Sequence, residues 1–391
     1  MNSQNTPVHI RLWHRDFWMM STASFLLSAS VYMLIPVFPV WLVETEHCNT
    51  LQVGVAMGIF AIGLFMFGCF CNYLVQRYRR NKVCVISIFL MTACISALYY
   101  IHGLSSQYVE VRVILLQRLL LGATYGLAQM VLSSTLIIDA SESFQRTEAN
   151  HSSAWFSRLA LSIGPMVGIV LFNYVSFDAV LLASMFAALA SAALIMTVVI
   201  PFRTPDESVH VISCDRFYLP EGLVLFVNLF IISFVIGMLL SLGLSDRFYA
   251  MMMAGFLLAL LAQRFVFRDA ELKSEVITGL ILLIAAVLMM YTRPLPVVWY
   301  LVPVFIGLSI GIVCSRFLLF FIKLSRHCKR GTSQSTYMLG WESGLALGLG
   351  VGYACFDDPD LMLLVSLALL AIALLMYNYY THKWFLNHKN R

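Results

Sequence analysis

Four charged residues lie inside long apolar stretches of the sequence: Arg118, Arg158, Arg316 and Glu342. A charge at such depth in a membrane is costly unless it faces a cavity or a partner, so these residues are the first functional candidates. A low-dielectric environment favours the neutral form of a carboxyl group, which suits a group that binds a proton from one side and releases it to the other. We therefore expect Glu342 to couple protons to the activity of the chain. A structural hydrogen bond, or pairing with an arginine such as Arg316, is the alternative.

The three arginines differ in how near they lie to the end of their stretch. Arg118 is expected to face a central cavity, where it contacts a substrate anion or the proton-binding group; bonds to backbone carbonyls are the alternative. Arg158 and Arg316 lie closer to the ends, where a long side chain reaches the interface by snorkelling. This position favours a structural role for both.

Several kinds of chemistry have no basis in the sequence. The nine histidines lie in loops, in tails or at the edges of the apolar stretches, so no metal site and no acid-base cluster is predicted within them. No phosphate-binding G-x-x-x-x-G-K-S/T loop occurs, which excludes a self-contained ATP-driven pump. We predict neither a cofactor nor an enzymatic activity. A channel would be expected to carry several matching filter elements, which we do not find.

The composition is that of a polytopic membrane protein. Of 391 residues 60% are hydrophobic and only 12% are charged, and the mean hydropathy is +0.84. Soluble domains carry about a quarter charged residues, so an ordinary cytosolic enzyme, a disordered chain and a nucleic-acid binder are excluded. The nine cysteines show no C-x-x-C spacing and are interpreted as small apolar residues.

Apolar runs long enough to cross a bilayer occur twelve times. Each is bounded by charged or turn-forming residues. The runs are 17–43, 51–75, 83–101, 110–138, 152–174, 178–202, 219–242, 248–267, 275–291, 296–323, 333–355 and 360–381.

The basic residues predict the orientation of these spans. With both termini in the cytoplasm, nineteen of the twenty-five Lys and Arg residues fall on the cytoplasmic side and three on the other. This asymmetry follows the positive-inside rule. We expect cytoplasmic N- and C-termini, in an inner membrane of a bacterium.

Three short patterns recur along the chain at nearly one offset, which indicates an internal repeat. The sequence therefore predicts an all-α membrane protein of twelve helices in two pseudo-symmetric six-helix bundles, 1–202 and 218–391, joined by a cytoplasmic linker at 203–217. The recurring patterns are 74–78 with 261–265, Gly122 and Gly126 with Gly307 and Gly311, and Gly164 and Gly168 with Gly348 and Gly352.

The loop after the second span resembles a motif of the major facilitator superfamily, G-x-x-x-D-R-x-G-R-R/K. Residues 72–82 retain Arg77 and the basic tail, but Gln76 replaces the acid. In the family this acid and arginine join a cytoplasmic charge network that steadies the outward-open state. The resemblance implies gating roles for Gln76, Arg77, Asp139 and Arg146, with Asp139 as the partner of Arg77. Gln263 and Arg264 are the repeat counterparts of Gln76 and Arg77.

Two further segments are similar to the same family. Arg118, Gly122 and Gly126 resemble its R-x-x-x-G-x-x-x-G pattern in the fourth helix, and Tyr32 to Pro36 resembles its proline region in the first. Gly164, Pro165 and Gly168 resemble the fifth-helix pattern of proton-driven exporters, with Ala160 replacing its first glycine. Small residues four apart allow close helix packing, and we expect this glycine face to let the fifth and eleventh helices slide past each other.

Amphipathic residues on helices that line the family's central cavity complete the predicted site. Aromatic walls with a few polar anchors suit an amphiphilic organic substrate, although each residue also fits ordinary packing. Besides Arg118, the predicted cavity residues are Tyr32, Gln129, Asn228, Tyr337 and Trp341.

The sequence as a whole predicts a secondary transporter that works by rocking of two bundles about a central cavity. We expect proton-coupled efflux of a small organic molecule or drug. Proton symport of a sugar or organic anion is the first alternative, and a membrane sensor or scaffold that does not transport is the second. The predicted partners are a small-molecule substrate, protons and the lipid bilayer. No nucleic-acid partner is expected, and the chain is expected to be monomeric.

Overall fold

The computed structural model describes residues 12–103, 110–142, 144–199, 210–267, 271–292, 297–326 and 329–389. Within these ranges the chain contains twelve long helices and no strand. The helices agree with the predicted spans, except that the fifth begins earlier, the sixth ends earlier and the twelfth continues further. They are α1 Arg15–Glu44, α2 Thr50–Arg77, α3 Arg80–Gly103, α4 Val111–Asp139, α5 Arg146–Tyr174, α6 Phe177–Thr197, α7 Leu223–Leu240, α8 Asp246–Phe265, α9 Leu272–Thr292, α10 Val298–Leu324, α11 Arg330–Cys355 and α12 Pro359–His388.

Four of the helices that start on one face of the molecule have side-chain caps at their N-termini. Asn49 forms a capping box with Gln52 at the start of α2. A serine or aspartate accepts a backbone N–H at the starts of α6, α8 and α12. Such caps satisfy otherwise unpaired backbone donors where short loops turn. We call this face the opposite face. The other face, which holds the start of α1 and the end of α12, is called the terminal face.

Eleven of the twelve helices are long and apolar enough to cross a membrane. The remaining helix, α11, has 26 residues, and its side chains are largely buried. It carries a run of buried polar residues from Thr332 to Thr336 because it is surrounded by other helices rather than by lipid. Because α11 is as long as the membrane-spanning helices but more polar, we interpret it as an interior helix.

The helices pair in the same way in two sets, α1–α6 and α7–α12. In the first set α1 packs on α5 and α6, α4 packs on α2 and α3, and α3 packs on α6. In the second set α7 packs on α11 and α12, α10 packs on α8 and α9, and α9 packs on α12. The internal repeat of the sequence is thus also a repeat of packing, as the fold prediction requires.

Contacts between the two sets occur near both faces. At the opposite face, Gly54 of α2 lies against Gly350 of α11, where neither position has room for a Cβ. At the terminal face, Gly331 at the start of α11 lies against the backbone of Ser134 in α4. Between these levels the Ser162 hydroxyl of α5 donates to the carbonyl of Tyr249 in α8 at 2.5 Å. The two sets are therefore in contact above and below the middle of the molecule.

The end of the connection between the sets adds a further contact at the terminal face. The Ser213 amide donates to the Cys69 carbonyl in α2 at 3.0 Å. The Arg216 amide donates to the Thr332 hydroxyl in α11 at 2.9 Å. This segment therefore joins α2 of the first set to α11 of the second.

Candidate functional site

A small cavity lies between the two sets of helices and is lined mainly by hydroxyl and charged side chains. Its volume of about 30 Å³ has room for about one water molecule. The sequence-predicted residues Tyr32, Tyr337, Trp341 and Glu342 line it together. The other lining residues are Ser24, Ser133, Ser153, Ala154, Ser157, Arg158, Gln334 and Met338.

The Glu342 carboxylate joins α11 to two helices of the other set. Its Oε1 accepts a hydrogen bond from the Tyr32 hydroxyl of α1 at 2.5 Å and another from the Tyr125 hydroxyl of α4 at 3.2 Å. The Glu342 side chain is 5% exposed. Charge-assisted hydrogen bonds to a carboxylate are stronger than neutral ones, so this residue holds three helices together across the cavity.

The position of Tyr32 follows from local backbone chemistry. The regular helix of α1 is interrupted at Met33, and a second helical segment begins at Leu34. Pro36 has no N–H to offer the carbonyl four residues earlier, which loosens the helix at Tyr32. Sequence analysis singled out this proline region, and the structure places its tyrosine at the proton-binding candidate.

A smaller cavity of about 10 Å³ adjoins the first on the side of α4, and Gln129, Tyr125 and Glu342 help to line it. The Gln129 amide donates to the Ser28 hydroxyl of α1 at 3.2 Å, whereas its Oε1 has no partner. Gln129 is thus one turn from Tyr125 on α4, beside the carboxylate but not bonded to it.

The end of α4 is a wide helical turn, a π-helix over Leu132–Leu136. Within it the Ser133 hydroxyl donates to the Gln129 carbonyl at 2.7 Å, and the Ser134 hydroxyl to the Met130 carbonyl at 2.5 Å. Wide turns of this kind occur often at functional sites because they displace side chains from the regular helical register. Here the turn places Ser133 at the cavity and Ser134 against α11.

Arg158 lies in the central cavity and not at the membrane interface. Its side chain is only 5% exposed, which corrects the expectation that it snorkels. Its guanidinium donates to the Ser315 hydroxyl at 2.6 Å and the Tyr337 hydroxyl at 3.4 Å, and lies 5.0 Å from the ring of Trp155. The Nε atom has no hydrogen-bond partner. Because Ser315 and Tyr337 belong to α10 and α11, Arg158 also bridges the two sets.

Arg118 does not line the central cavity. Its guanidinium lies over the rings of Phe38 and Phe60, at 4.5 and 5.4 Å from their centroids. Its Nε donates to the Ala56 carbonyl at 3.5 Å. Arg118 therefore packs within the first set, between α1 and α2, and lines neither of the two cavities around Glu342.

Asn228, which was predicted to line the cavity, lies between α7 and α12. Its amide donates to the Ala373 carbonyl at 3.1 Å and the Thr381 hydroxyl at 3.5 Å. The residue is fully buried. The structure thus gives Asn228 contacts inside the second set rather than contacts with the cavity.

Arg316 forms an ion pair with Glu275 at the start of α9, in which the Glu275 side chain is buried and the Arg316 side chain is partly exposed. This pair excludes one alternative that the sequence left open. Arg316 does not pair with Glu342, whose partners are the two tyrosines. Glu275 lies in the first turn of α9, at the edge of the span as predicted, and its side chain is buried.

The predicted pairing of Asp139 with Arg77 is wrong. Asp139 at the end of α4 pairs with Arg80 at the start of α3, whereas Arg77 is exposed. The Gln76 amide donates to Asn72 one turn earlier in α2, at 2.8 Å. The neutral Gln76 side chain thus bonds within its own helix. At this face of the first set, the ion pair of Arg80 and Asp139 joins α3 to α4.

The remaining predicted gating residues also lie at the terminal face. Arg146 begins α5 and is half-buried, with its Nε unbonded. The Gln263 amide donates to the Gly311 carbonyl of α10 at 3.1 Å, and the Arg264 guanidinium lies 5.9 Å from the Phe265 ring. These two repeat-related glutamines, Gln76 and Gln263, thus make different contacts.

The glycine face of α5 packs on α1 and not on α11. A Cβ at Gly164 would approach Tyr32 and Ala29, and one at Gly168 would meet the backbone of Met33. The expected sliding of α5 on α11 through these glycines is therefore corrected. Pro165 lies inside an otherwise continuous α5, and its neighbours seat the segment that carries Tyr32.

Sequence analysis missed Tyr125 and assigned Arg158 only a structural role. The cavity serines, Ser24, Ser133 and Ser157, were also missed. For Arg158 a signal was present, because the offset that relates Gly164 to Gly348 also relates Arg158 to Glu342. Tyr125 and the serines had no such signal, since their proximity depends on helix packing.

The chain is similar to known proteins over most of its length. The family model of the Major Facilitator Superfamily matches residues 20–349. No curated protein matches the sequence.

Solved structures show the same fold at low sequence identity. A POT family peptide transporter in an auto-inhibited form is 9% identical with a TM-score of 0.70, covering 97% of this chain and 98% of its own. The human organic anion transporter MFSD10 (TETRAN) is 13% identical with a TM-score of 0.66, covering 92% and 98%. The nucleoside transporter NupG is 13% identical with a TM-score of 0.63, covering 93% and 99%.

These matches agree with the twelve-helix architecture. The family match identifies an integral membrane transporter and not an enzyme. The chain belongs to the Major Facilitator Superfamily and is a secondary transporter.

Proposed function

We propose that the chain couples the movement of a small organic molecule to the movement of protons, with Glu342 as the proton-binding residue. The observation that carries this proposal is the pair of hydrogen bonds from Tyr32 and Tyr125 to the Glu342 carboxylate. A titratable group in this position touches both sets of helices and the cavity at once.

Protonation of Glu342 changes the strength of these contacts. An ionised carboxylate is the better acceptor, so its two bonds hold α11 against α1 and α4. A protonated carboxyl is neutral and binds both hydroxyls less strongly. Proton binding and the relative position of the helix sets are therefore linked, which is the requirement for coupled transport.

The moving bodies are the two bundles, residues 1–202 and 218–391, with 203–217 as the linker between them. The contact of Gly54 with Gly350 closes the opposite face, and that of Gly331 with Ser134 closes the terminal face. Rocking of one bundle against the other opens these contacts in alternation. The arrangement in which both contacts are made lies between the two open states.

Residues at the terminal face regulate the opening there. The bond between Arg80 and Asp139 fastens α3 to α4 within the first bundle. Arg146, Gln76 and Arg77 of the first bundle and Gln263 and Arg264 of the second lie at helix ends on the same face. Altering these contacts changes the balance between the two open states.

The direction of transport has two candidates. Efflux of an organic molecule or drug against protons is favoured by the fifth-helix pattern around Gly164, Pro165 and Gly168. Proton symport of a sugar or organic anion is favoured by a specific observation, the Arg158 side chain and serine hydroxyls in the cavity wall. In either case the terminal face is the cytoplasmic one, and the membrane is the inner membrane of a bacterium. The transporting unit is a monomer.

Substrate-induced proton movement across everted membrane vesicles tests the proposal. The probes are a panel of lipophilic cations, antibiotics, sugars and small organic anions, and a pH-sensitive dye gives the signal. At least one compound is expected to change the imposed pH gradient with the wild-type chain and not with Glu342→Gln. In vesicles of known polarity, a compound that dissipates the pH gradient is exported in exchange for protons. A compound that is taken up together with protons changes the gradient in the opposite direction.

An exposed acid provides the matched control. Glu148→Gln removes a carboxylate from the surface end of α5 and should leave the response unchanged. A response that survives Glu342→Gln contradicts the assignment of Glu342. If no compound moves protons, the proposal fails and the sensor or scaffold alternative takes its place.

A further inference from the structure

Arg158 and Glu342 occupy equivalent positions of the two bundles. Arg158 lies six residues before Gly164 in α5, and Glu342 lies six residues before Gly348 in α11. Each of these glycines packs on the first helix of its own bundle, α1 or α7. The repeat thus presents a cation and an acid from corresponding helices to a single cavity.

The surroundings of Arg158 leave its charge without an anionic partner. Its hydrogen bonds go to the neutral hydroxyls of Ser315 and Tyr337, and its Nε is unbonded. No acidic side chain in the parts of the chain that the structure describes forms an ion pair with it. Arg316, by contrast, is paired with Glu275. A buried cation that is not paired in the protein is a feature of ligand and ion pathways in membrane proteins.

We propose that Arg158 binds an anionic group of the substrate, a carboxylate or a similar oxyanion, inside the central cavity. A planar guanidinium with a free Nε matches the geometry of such a group. The hydroxyls of Ser153 and Ser157 line the same cavity. They bond the Asn150 carbonyl and the Ser24 hydroxyl in this structure, and each must turn from that partner to donate to the remaining oxygens of the anion. This inference rests on the proposed function, since it names the substrate class of the same site.

The pairing of Arg158 with Glu342 across one cavity has a consequence for coupling. While Glu342 is ionised, the cavity charges sum to zero and the carboxylate repels an incoming anion. Once Glu342 is protonated, the cavity carries one positive charge and the anion binds. The anion and the proton therefore bind together, so the inferred transport mode is symport of an organic anion with a proton.

Ligand binding to the purified full-length chain tests the assignment independently of transport. The probes are benzoate, succinate and methylphosphonate, with benzamide and succinamide as neutral analogues and benzylamine as a cationic one. Thermal stabilisation in detergent reports binding, because a ligand that binds only the folded state raises its stability. The titrations are made at mildly acidic and mildly alkaline pH with the wild-type chain and five variants.

The variants separate charge from structure. Arg158→Gln is expected to weaken anion binding roughly tenfold to a hundredfold, the range for loss of a hydrogen bond to a charged group. Arg158→Lys keeps the charge and should restore part of the affinity. Ser315→Ala removes a structural partner of Arg158 and should keep the preference for anions. Lys323→Gln, which removes an exposed cation, is the matched control.

The pH dependence supplies the second readout. Anion binding to the wild-type chain should strengthen as the pH falls, whereas Glu342→Gln should bind anions equally at both values. Arg158→Gln with unchanged anion affinity overturns the inference, as does a panel in which no anion binds. Proton movement driven only by neutral or cationic compounds overturns it while the proposed function stands. Anion binding through Arg158 without any proton movement overturns the proposed function and the inferred symport, but leaves Arg158 as the anion-binding residue.

Discussion

The helices α5 and α11 are related by the internal repeat, yet they differ in composition and in the charge that they carry. Both pack on the first helix of their bundle through glycines, Gly164 in α5 and Gly348 in α11. α5 is apolar enough to be recognised as a membrane span, and α11 is not. At the equivalent position α5 presents Arg158 to the cavity and α11 presents Glu342.

This difference shows which properties a duplicated bundle retains. The packing of backbones is retained because close helix contact requires small residues at fixed spacing. The side chains that face the cavity are not held by that requirement, so they can diverge. In this chain the two equivalent positions carry opposite charges at a site that both bundles share.

A second pair of regions shows the same divergence. In the first bundle Arg80 at the start of α3 pairs with Asp139 at the end of α4. In the second bundle Glu275 at the start of α9 pairs with Arg316 of α10. The signs are exchanged between the corresponding helices, while an ion pair joins them in both bundles.

Exchanging the two cavity charges gives the largest expected effect. The double variant Arg158→Glu with Glu342→Arg keeps the sum of the charges but moves the acid away from Tyr32 and Tyr125. Proton-linked transport should be abolished, because a carboxylate on α5 lacks these two donors. Dye measurements in vesicles check the rate, and a monodisperse protein in detergent confirms folding. Retained coupling would show that the two positions are interchangeable.

The two repeat-related glycines should differ in their tolerance of a methyl group. A Cβ at Gly348 would collide with the backbone oxygen of Phe234, whereas the nearest atom to one at Gly164 is the Tyr32 Cβ at 3.0 Å. Gly348→Ala should therefore destabilise the protein by about 1–3 kcal/mol, as overpacking does, and Gly164→Ala by less. Thermal unfolding in detergent measures both. Equal shifts would contradict the difference in closeness.

The two tyrosines that bind Glu342 should not contribute equally. The Tyr32 hydroxyl lies 2.5 Å from the carboxylate and the Tyr125 hydroxyl 3.2 Å. We expect Tyr32→Phe to slow proton-linked transport roughly tenfold and Tyr125→Phe roughly threefold, within the usual range for hydrogen bonds to charged groups. Initial rates in proteoliposomes test this order. A larger effect of Tyr125→Phe would place the stronger link on α4.

Cysteine labelling should distinguish the two ends of the molecule without affecting transport. Cys214 is exposed at the terminal face and Cys355 is exposed at the opposite end of α11. A membrane-impermeant maleimide should label Cys355 in spheroplasts and Cys214 only in everted vesicles, because the basic residues predict a cytoplasmic terminal face. Cys214→Ser and Cys355→Ser identify the labelled sites. The reverse pattern would invert the orientation.

The sequence by itself determined the fold class, the helix positions and Glu342 as a candidate. Each of these depends on a property that is local along the chain: the length of an apolar run, the recurrence of small residues, or a carboxyl group within such a run. The family followed from motifs such as Arg118 with Gly122 and Gly126, which are also local.

Only the tertiary structure decided which polar residues meet. Arg158 and Arg316 occupy similar positions near the ends of their spans, yet one faces the cavity and the other pairs with Glu275. Asp139 bonds Arg80 rather than Arg77, and Tyr125 reaches Glu342 from a helix more than two hundred residues away. The rotation of each helix about its axis and the choice of its neighbours set these contacts, because side chains of the same polarity and depth point in different directions once the helices pack.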